Sequence, residues 1–382
     1  MFIQKMIRSC VPDGGDVCTV IDEGVLNTDS GKALRRWILE QCELRAVVQL
    51  PEETFKPNKI NVRSSVLLLK RRSSSDVDLE LNYPIKFIHI SSLGYAGSGE
   101  AIRGFDPEKL YLGIEQYMYE DGPSSGYHWS GFSVSSKDIQ ADATFRFDYK
   151  YWDPTTKSYI ANLENLGHPT IKSLNLIDTK RGKSPAADSY VDSIDGYALV
   201  VKAGTNISKF GELIEDGDYI EKNVFEEMDS YALKDGDVLV SSTGTGTLGK
   251  SCVYRSKTPA VPDGHVTVIR VDQNQVYPEY LCDYLRIGFG SIQIMRLFTG
   301  STGLIELTPE QLNRIFIEMP DTIKKQTEIS KELRKVESKY RLALKNAENE
   351  LSKARLRLFS LDPGLIVDND QANIDEELGE DE

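Results

Sequence analysis

Histidine is scarce in this 382-residue chain: only His89, His128, His168 and His265, none within helical reach of another. That spacing excludes the paired-histidine metal sites whose ligands sit one helical turn apart. The five cysteines, Cys10, Cys18, Cys42, Cys252 and Cys282, are odd in number and lack metal-ligand spacing. They predict reduced thiols of a cytoplasmic protein rather than a disulfide framework. No apolar run approaches ~18 residues, so neither a membrane span nor a signal peptide is expected. Glycine and proline are both missing from Asp321 to Asp362. Nothing in that stretch breaks a helix.

What fills the stretch is a coiled-coil rhythm. Ile329, Leu333, Val336, Tyr340, Ala343, Ala347, Leu351, Ala354 and Leu358 are spaced 4,3,4,3,4,4,3,4, a heptad seam with one four-residue stutter. At 1.5 Å per residue the rod would be roughly 60 Å long. A helix with one apolar stripe needs a mate, and the simplest mate is a second copy, antiparallel, giving a homodimer. Asp362-Pro363-Gly364 ends it.

Length predicts two or three domains, and 40% hydrophobic with 27% charged residues is ordinary for a soluble globular protein. Net charge is 45 − 59 = −14, which by itself argues against a nucleic-acid partner. The distribution reverses that argument. Asp368–Glu382 holds eight acidic residues and no basic one, so the rest of the chain carries −14 + 8 = −6. Between Ile323 and Arg357, eleven Lys/Arg stand against five acidic residues. The tail reads as a solvated, disordered end. The sharper reading is an acidic flap over a basic surface.

The fold class expected is α+β and multidomain. Residues 1–112 read as part of an α/β sheet: strand Asp16–Ile21, helix Ser30–Gln41, then strands Leu44–Leu50, Val62–Leu69 and Ile85–Ile90. Strand, helix and strand at this spacing predict a βαβ unit in a parallel sheet, closed by a hairpin. It begins abruptly, as though earlier strands were absent, which would leave an apolar sheet edge exposed. Residues 113–150, rich in Tyr, Gly and Ser, read as a connecting arm. Residues 151–320 alternate short β-branched strands (197–201, 238–240, 252–254, 266–271, 315–319) with turns. Two helices are inserted, Pro278–Arg286 and one opened by the capping box Thr308-Pro309-Glu310-Gln311. Residues 321–362 form the rod and 363–382 the acidic tail.

One motif misleads. Gly244–Ser251 matches the phosphate-cradling pattern G-x-x-x-x-G-K-[ST] letter for letter, after an apolar strand. A P-loop works because its amides lead into a helix whose N-terminus faces the phosphates. Here CVYRSKTPAVP follows, which has no helical period. A P-loop nucleotidase is therefore the lesser alternative to a Gly-rich β-turn. Gly94-Tyr-Ala-Gly97-Ser-Gly99 reads as a surface turn. The sequence shows no FxGxG-like loop for S-adenosylmethionine, no (D/N)PP(Y/F) tetrapeptide and no nuclease-type carboxylate cluster. No catalytic residue and no metal ligand is assigned.

The order of segments then becomes familiar. Gly14-Gly15-Asp-Val-Cys-Thr-Val-Ile-Asp-Glu-Gly24-Val-Leu, LRRWILEQCELRAVVQLPEETFKP, VRSSVLLLKRR and IKFIHISSLGYAGSGEAIRG resemble the C-terminal part of N6-adenine DNA methyltransferases of type I restriction-modification systems. This likeness covers about residues 1–112. FRFDYKYWDP (145–154), RGKSP (181–185), LKDGDVLVSSTGTGTLGK (233–250), PEYLCDYL (278–285) and TGSTGLIELTPEQLNRIFIEMP (299–320) resemble a type I specificity subunit. With the helix led by Gln326, they look like one target-recognition domain plus its spacer helix, over about residues 145–361.

The resemblance implies a sequence-specific DNA-binding component that positions an adenine-N6 methyltransferase on double-stranded DNA. Its expected partners are a methyltransferase subunit or upstream methyltransferase half, and a restriction subunit where the system cleaves. The alternative is part of an active split or fused methyltransferase. The chain is not expected to be catalytic alone. S-adenosylmethionine is implied for the complete assembly and not for this chain by itself. Specificity subunits usually carry two recognition domains and two spacer helices, and this chain has one of each. DNA-contact candidates are Lys180, Arg181, Lys183 and Ser184; Lys250, Arg255 and Lys257; and Gln293, Arg296, Thr299, Ser301 and Thr302. Lys and Arg suit phosphates and guanine edges, and Gln suits adenine.

Overall fold

The computed structural model describes every residue except 1, 13, 74–81, 121, 175, 302, 304 and 360–382. Its first compact unit is Met1–Ile323 and its second begins at Lys324. The boundaries expected at 112 and 150 fall inside the first unit.

Six strands make the first sheet: β1 (Asp16–Asp22), β2 (Cys42–Gln49), β3 (Ser64–Arg71), β4 (Pro84–Ile90), β5 (Ser125–Gly126) and β6 (Trp129–Ser135), in the order β1-β3-β2-β4-β6-β5. The expected βαβ unit is corrected here. β1 and β2 run the same way but do not touch, because β3 lies between them, antiparallel to both. The parallel pair in this sheet is β2–β4. The chain between Asp22 and Cys42 is long enough to cross to a neighbouring strand or over one more, so the spacing could not tell them apart.

Helix α1 (Phe2–Ser9), the short α2 (Glu23–Asn27) and α3 (Lys32–Gln41) contribute to one apolar cluster. α3 buries Leu34, Ile38 and Leu39, the i, i+4 stripe that an amphipathic helix turns to its sheet. Each such side chain contributes roughly 1.5–3 kcal/mol of burial. Helix α4 (Pro107–Tyr119), N-capped by Asp106 and with Pro at its first turn, contributes Leu110 and Tyr117 to a second cluster with Val48, Ile88 and Trp129.

The connecting arm expected at 113–150 is thus largely structured: its first residues finish α4, and Trp129–Ser135 pairs along the whole of β4. The sequence WSGFSVS does not alternate as a strand should, because Gly131 lies under the Tyr117 ring. A Cβ at Gly131 would approach that ring to 2.8 Å.

The remaining strands form two four-stranded sheets: β7 (Leu176–Arg181), β8 (Tyr190–Val191), β9 (Ala198–Val201), β10 (Tyr219–Ile220), β11 (Val238–Ser241), β12 (Ser251–Val253), β13 (Ala260–Pro262) and β14 (Val266–Val271). Their orders are β13-β9-β10-β8 and β12-β11-β14-β7. The helix Pro278–Arg286 and the capping box at Thr308 form as expected, with reciprocal bonds of 2.9 and 3.2 Å to Gln311. The strand expected at 315–319 does not form. Ile315 and Ile317 instead exchange single backbone bonds with Ile171 and Pro169.

One core joins the two halves of the unit. Ile38, Leu44 and Leu67 from the first sheet belong to the same apolar cluster as Phe147, Tyr151, Val240, Leu281, Leu307 and Ile317.

In the second unit a continuous helix reaches Phe359, its first turn at Ile323. Seam residues are exposed along it, among them Ile329, Val336, Tyr340, Leu351 and Leu358. The stop expected at Asp362-Pro363-Gly364 and the acidic tail lie outside the described residues.

Candidate functional site

The segment Asp142–Trp152 and the loop after the helix Phe289–Leu297 lock the unit together. Arg35 of α3 is fully buried. Its Nε donates to Phe145 O (2.8 Å), and its two terminal nitrogens to Val25 O and Thr144 O (both 2.7 Å). Burial lowers its pKa to about 10, while Asp148 opposes the fall. Arg146 makes a bidentate pair with Asp148 (2.7 and 2.6 Å), both out of solvent, and donates onward to Leu297 O and Phe298 O. Lys150 donates to Phe298 O at 3.0 Å.

The same loop is held from β1 and α2. Buried Asn27 accepts from Gly300 N (2.8 Å) and donates to Gly300 O (3.1 Å), across 273 residues of sequence. Gly300 has φ +95°, a left-handed conformation that suits glycine. Asp22 caps Gly24 N at 2.7 Å and accepts from the Ser301 hydroxyl at 2.7 Å. Loop 298–301 is therefore registered directly against the carboxyl end of β1.

Beside this junction lies a cavity of about 390 Å³. Glu23, Gln49 and His89, at the carboxyl ends of β1, β2 and β4, form one wall, and Lys150, Arg296 and Phe298 another. Burial raises the Glu23 pKa, opposed by the Gln49 amide at 2.6 Å, and burial pushes Lys150 well below its ordinary value. His89 is also lowered by burial, and its Nδ1 is enclosed without a hydrogen-bond partner. Charges of both signs meet here, but no three His, Cys, Asp or Glu among the described residues could hold a metal.

The DNA-contact candidates separate into groups. Arg181 Nη2 binds Glu306 (2.7 Å) and Leu307 O (3.0 Å), and Glu306 pairs with Thr243 and Thr299. Ser184 accepts from Gly264 N at 3.1 Å, and Thr243 bonds His265 at 2.8 Å. Loops 181–184, 243–250, 263–265 and 299–306 thus converge on one polar surface, with Lys183 exposed and Lys250 half-buried. Lys180 is drawn over the Tyr231 ring and bonds Ser230 O. Arg255 and Lys257 lie at the opposite end of the β11–β12 pair, where Arg255 binds Asp235 and Glu279.

Gln293 is corrected outright. It is 1% exposed, and its amide closes a two-bond ring on the Phe316 backbone (2.8 and 2.9 Å), so it has no edge to offer a base. Arg296 is likewise engaged, with its Nε on Tyr151 O at 2.9 Å and its guanidinium over the Tyr151 ring. Ser301 is taken by Asp22. Thr302 lies outside the described residues.

The phosphate-loop pattern resolves into a β-hairpin turn. Val240 pairs with Ser251 across it, Gly244, Gly246 and Gly249 all have left-handed φ, and the buried Ser251 hydroxyl bonds Gly249 O. No helix follows, and the hydroxyl that would face a magnesium ion points back into the turn. That geometry removes the nucleotide reading.

Sequence reasoning missed Arg35, Asn27, Arg146 and Asp148. The signal for the last two was a charged pair in an aromatic-rich run, FRFDYKYW.

Residues 1–142 match the family of N-6 DNA methylases. The match runs past the boundary expected at 112 and takes in α4 and β6. Similar solved structures come from restriction-modification systems. The type IIG restriction endonuclease BpuSI is 10% identical over 87% of this chain and 43% of its own, with a TM-score of 0.39. The HsdS subunit from Thermoanaerobacter tengcongensis is 13% identical over 89% and 93%, with a TM-score of 0.35. The M protein of the type I restriction enzyme EcoKI is 17% identical over 40% and 38%, with a TM-score of 0.29. This chain therefore spans less than half the length of the BpuSI chain. Among curated proteins none matches. No helix among the described residues is long and apolar enough to cross a membrane.

Proposed function

We propose that this chain is the sequence-specific DNA-binding component of a restriction-modification system and positions an adenine-N6 methyltransferase on its target. The observation that carries the reading is the reciprocal Asn27–Gly300 bond. It fixes a polar loop of the surface around Arg181 and Lys250 to the segment that matches N-6 DNA methylases. A target reader must hold its register to the catalytic sheet, and this contact supplies that register.

In this reading Lys183 and Lys250 meet phosphates, Ser184 and Thr299 border the contact, and Arg181 organises it. Lys180, on Tyr231 and Ser230, and Arg255, on Asp235 and Glu279, support the domain, and Lys257 stands apart from this contact. The heptad seam pairs two copies, so that two readers address a bipartite inverted repeat. The methylating partner, and a restriction subunit in a cleaving system, join them. Residues around the cavity do not fit S-adenosylmethionine: no glycine lines it, and the Glu23 carboxylate is already bonded to Gln49. Footprinting of the full chain on its bound duplex tests the reading: two protected half-sites related by inversion are expected, and a single contiguous asymmetric site contradicts it.

One observation favours a second reading, part of a split methyltransferase. Among the described residues β1 pairs on one side alone, with β3, and its Cys18 and Val20 are exposed. An open edge of this kind accepts a further strand. Co-expression with a methyltransferase half bearing the cofactor loop tests it: adenine-N6 methylation by the mixture and by neither part alone supports it.

A further inference from the structure

The turn joining β13 to β14 is bonded at every N–H from Asp263 to Val266. Asp263 N donates to Val201 O (3.0 Å), Gly264 N to Ser184 Oγ (3.1 Å), His265 N to Asp263 Oδ1 (2.8 Å) and Val266 N to Asp263 O (3.2 Å). Three carbonyls are taken as well: Pro262 O accepts from Lys183 N (3.0 Å), His265 O from Ser242 N (2.9 Å) and Val266 O from Gly182 N (2.8 Å). Val201 ends β9 of one sheet, whereas Gly182 and Ser242 follow β7 and β11 of the other, so the turn is fixed to both. A Cβ at Gly182 would come within 2.2 Å of Asp263 O, and glycine permits this close approach. On the fixed turn stands an exposed side chain, His265. Its Nδ1 lies 2.8 Å from Thr243 Oγ1, so the ring is held along with the backbone. Packing does not account for this restraint, because an exposed ring gains little burial and holding it costs rotamer entropy. A group ordered before its ligand arrives binds without a further loss of freedom.

We infer that His265 reads a base edge, its Nε2–H donating to O6 or N7 of a guanine in the major groove, with Thr243 positioning the ring. The inference rests on the DNA-recognition reading above. It adds the sequence choice that lysines on phosphates cannot supply, since phosphates carry no sequence information. The Thr243 hydroxyl has no other acceptor among the described residues, so it donates to Nδ1 and assigns the ring proton to Nε2. Nε2 has no hydrogen-bond partner among the described residues. Its polar neighbours on this surface are already engaged, Arg181 with Glu306 and Leu307 O, and Ser184 with Gly264 N. Guanine presents two acceptors side by side in the major groove, adenine sets its N7 beside the N6 donor, and cytosine offers a donor. A lone ring N–H therefore favours guanine.

The test selects bound duplexes from a random pool with the full chain, with His265→Ala and with Thr243→Val, each alone and beside the methylating partner. The enriched duplex, one with a single guanine exchanged and a scrambled one are then titrated from low to high salt. The unaltered chain should enrich a guanine at a position where His265→Ala accepts any base, with the other positions kept. Affinity of His265→Ala for the enriched duplex should fall about two- to tenfold. Its affinity for the other two duplexes and the salt slope should stay unchanged, because no phosphate contact is lost. Thr243→Val, which frees the ring to turn, should relax the same position in part and no other, whereas a merely structural role would weaken all duplexes alike. Uniform loss on the three duplexes, or a lower salt slope, overturns the inference and assigns His265 to the DNA backbone. Unchanged preferences in His265→Ala, with an unchanged circular dichroism spectrum, also overturn it. If His265→Ala does not fold, Thr243→Val decides, and preferences identical to those of the unaltered chain overturn the inference. Absence of any preference in the unaltered chain under both conditions refutes the DNA-recognition reading and this inference together, while preferences untouched by both substitutions refute the inference alone.

Discussion

Replacing Arg146 with alanine is the sharpest probe of the junction. The guanidinium makes two bonds to Asp148 and one each to Leu297 O and Phe298 O, and the side chains of the pair are 4% and 0% exposed. Removing one partner of a buried pair strands the other charge without solvent, at about 3–5 kcal/mol. That is a large share of the ~5–15 kcal/mol that holds a typical fold. Arg146→Lys should recover only part, because an ammonium cannot span both carboxylate oxygens and two carbonyls. The double substitution Arg146→Met with Asp148→Leu should be no milder than Arg146→Ala, because it also takes the Asp148 countercharge from buried Arg35 and from Lys150. Urea unfolding at neutral pH reads all three. A loss below about 1 kcal/mol for Arg146→Ala, or a double variant clearly milder than the single, refutes the argument that Asp148 anchors the junction electrostatically.

Four further outcomes follow from the same geometry. Asn27→Ala leaves the buried N–H and C=O of Gly300 unpaired and should cost about 1–3 kcal/mol for each, measured by urea unfolding. Gln293→Ala should destabilise comparably through Phe316 while leaving base preference unchanged, and a relaxed preference in a binding-site selection would contradict its structural role. Lys250→Ala should weaken binding to all duplexes alike and lower the salt slope by about 1, with no change in ATP retention. His89 has a folded pKa held below its ordinary 6.5 by burial, so its contribution to stability is present above pH 6.5 and is lost as pH falls through the lower folded value. His89→Gln should remove that part of the acid sensitivity in unfolding followed from pH 7 to 5.

What was legible in the sequence was local. The heptad seam gave the helix Ile323–Phe359, alternation and β-branching gave β1 to β4 and β14, and the Thr308 capping box appears as read. The glycine hairpin was recognisable because no helical period followed Lys250. What stayed hidden depended on residues far apart. The antiparallel β3 inserted between β1 and β2 leaves the sequence spacing unchanged. β6 is masked by Gly131, whose role appears only once Tyr117 crosses it. Among the candidate DNA-binding residues, side-chain type pointed to Gln293 and Arg296, but the structure spends both on backbone carbonyls. Their bonds to the backbone of Phe316 and Tyr151, and not their side-chain type, set them apart from Lys183 and Lys250. Asn27 and Gly300 lie 273 residues apart, and neither carries a local signal of its partner.

Selecting bound duplexes from a random pool with the full chain, alone and beside its methylating partner, tests the central claim most directly. The account predicts enrichment of two short motifs in inverted orientation at one fixed separation. Recovery of the pool without enrichment under both conditions would contradict it.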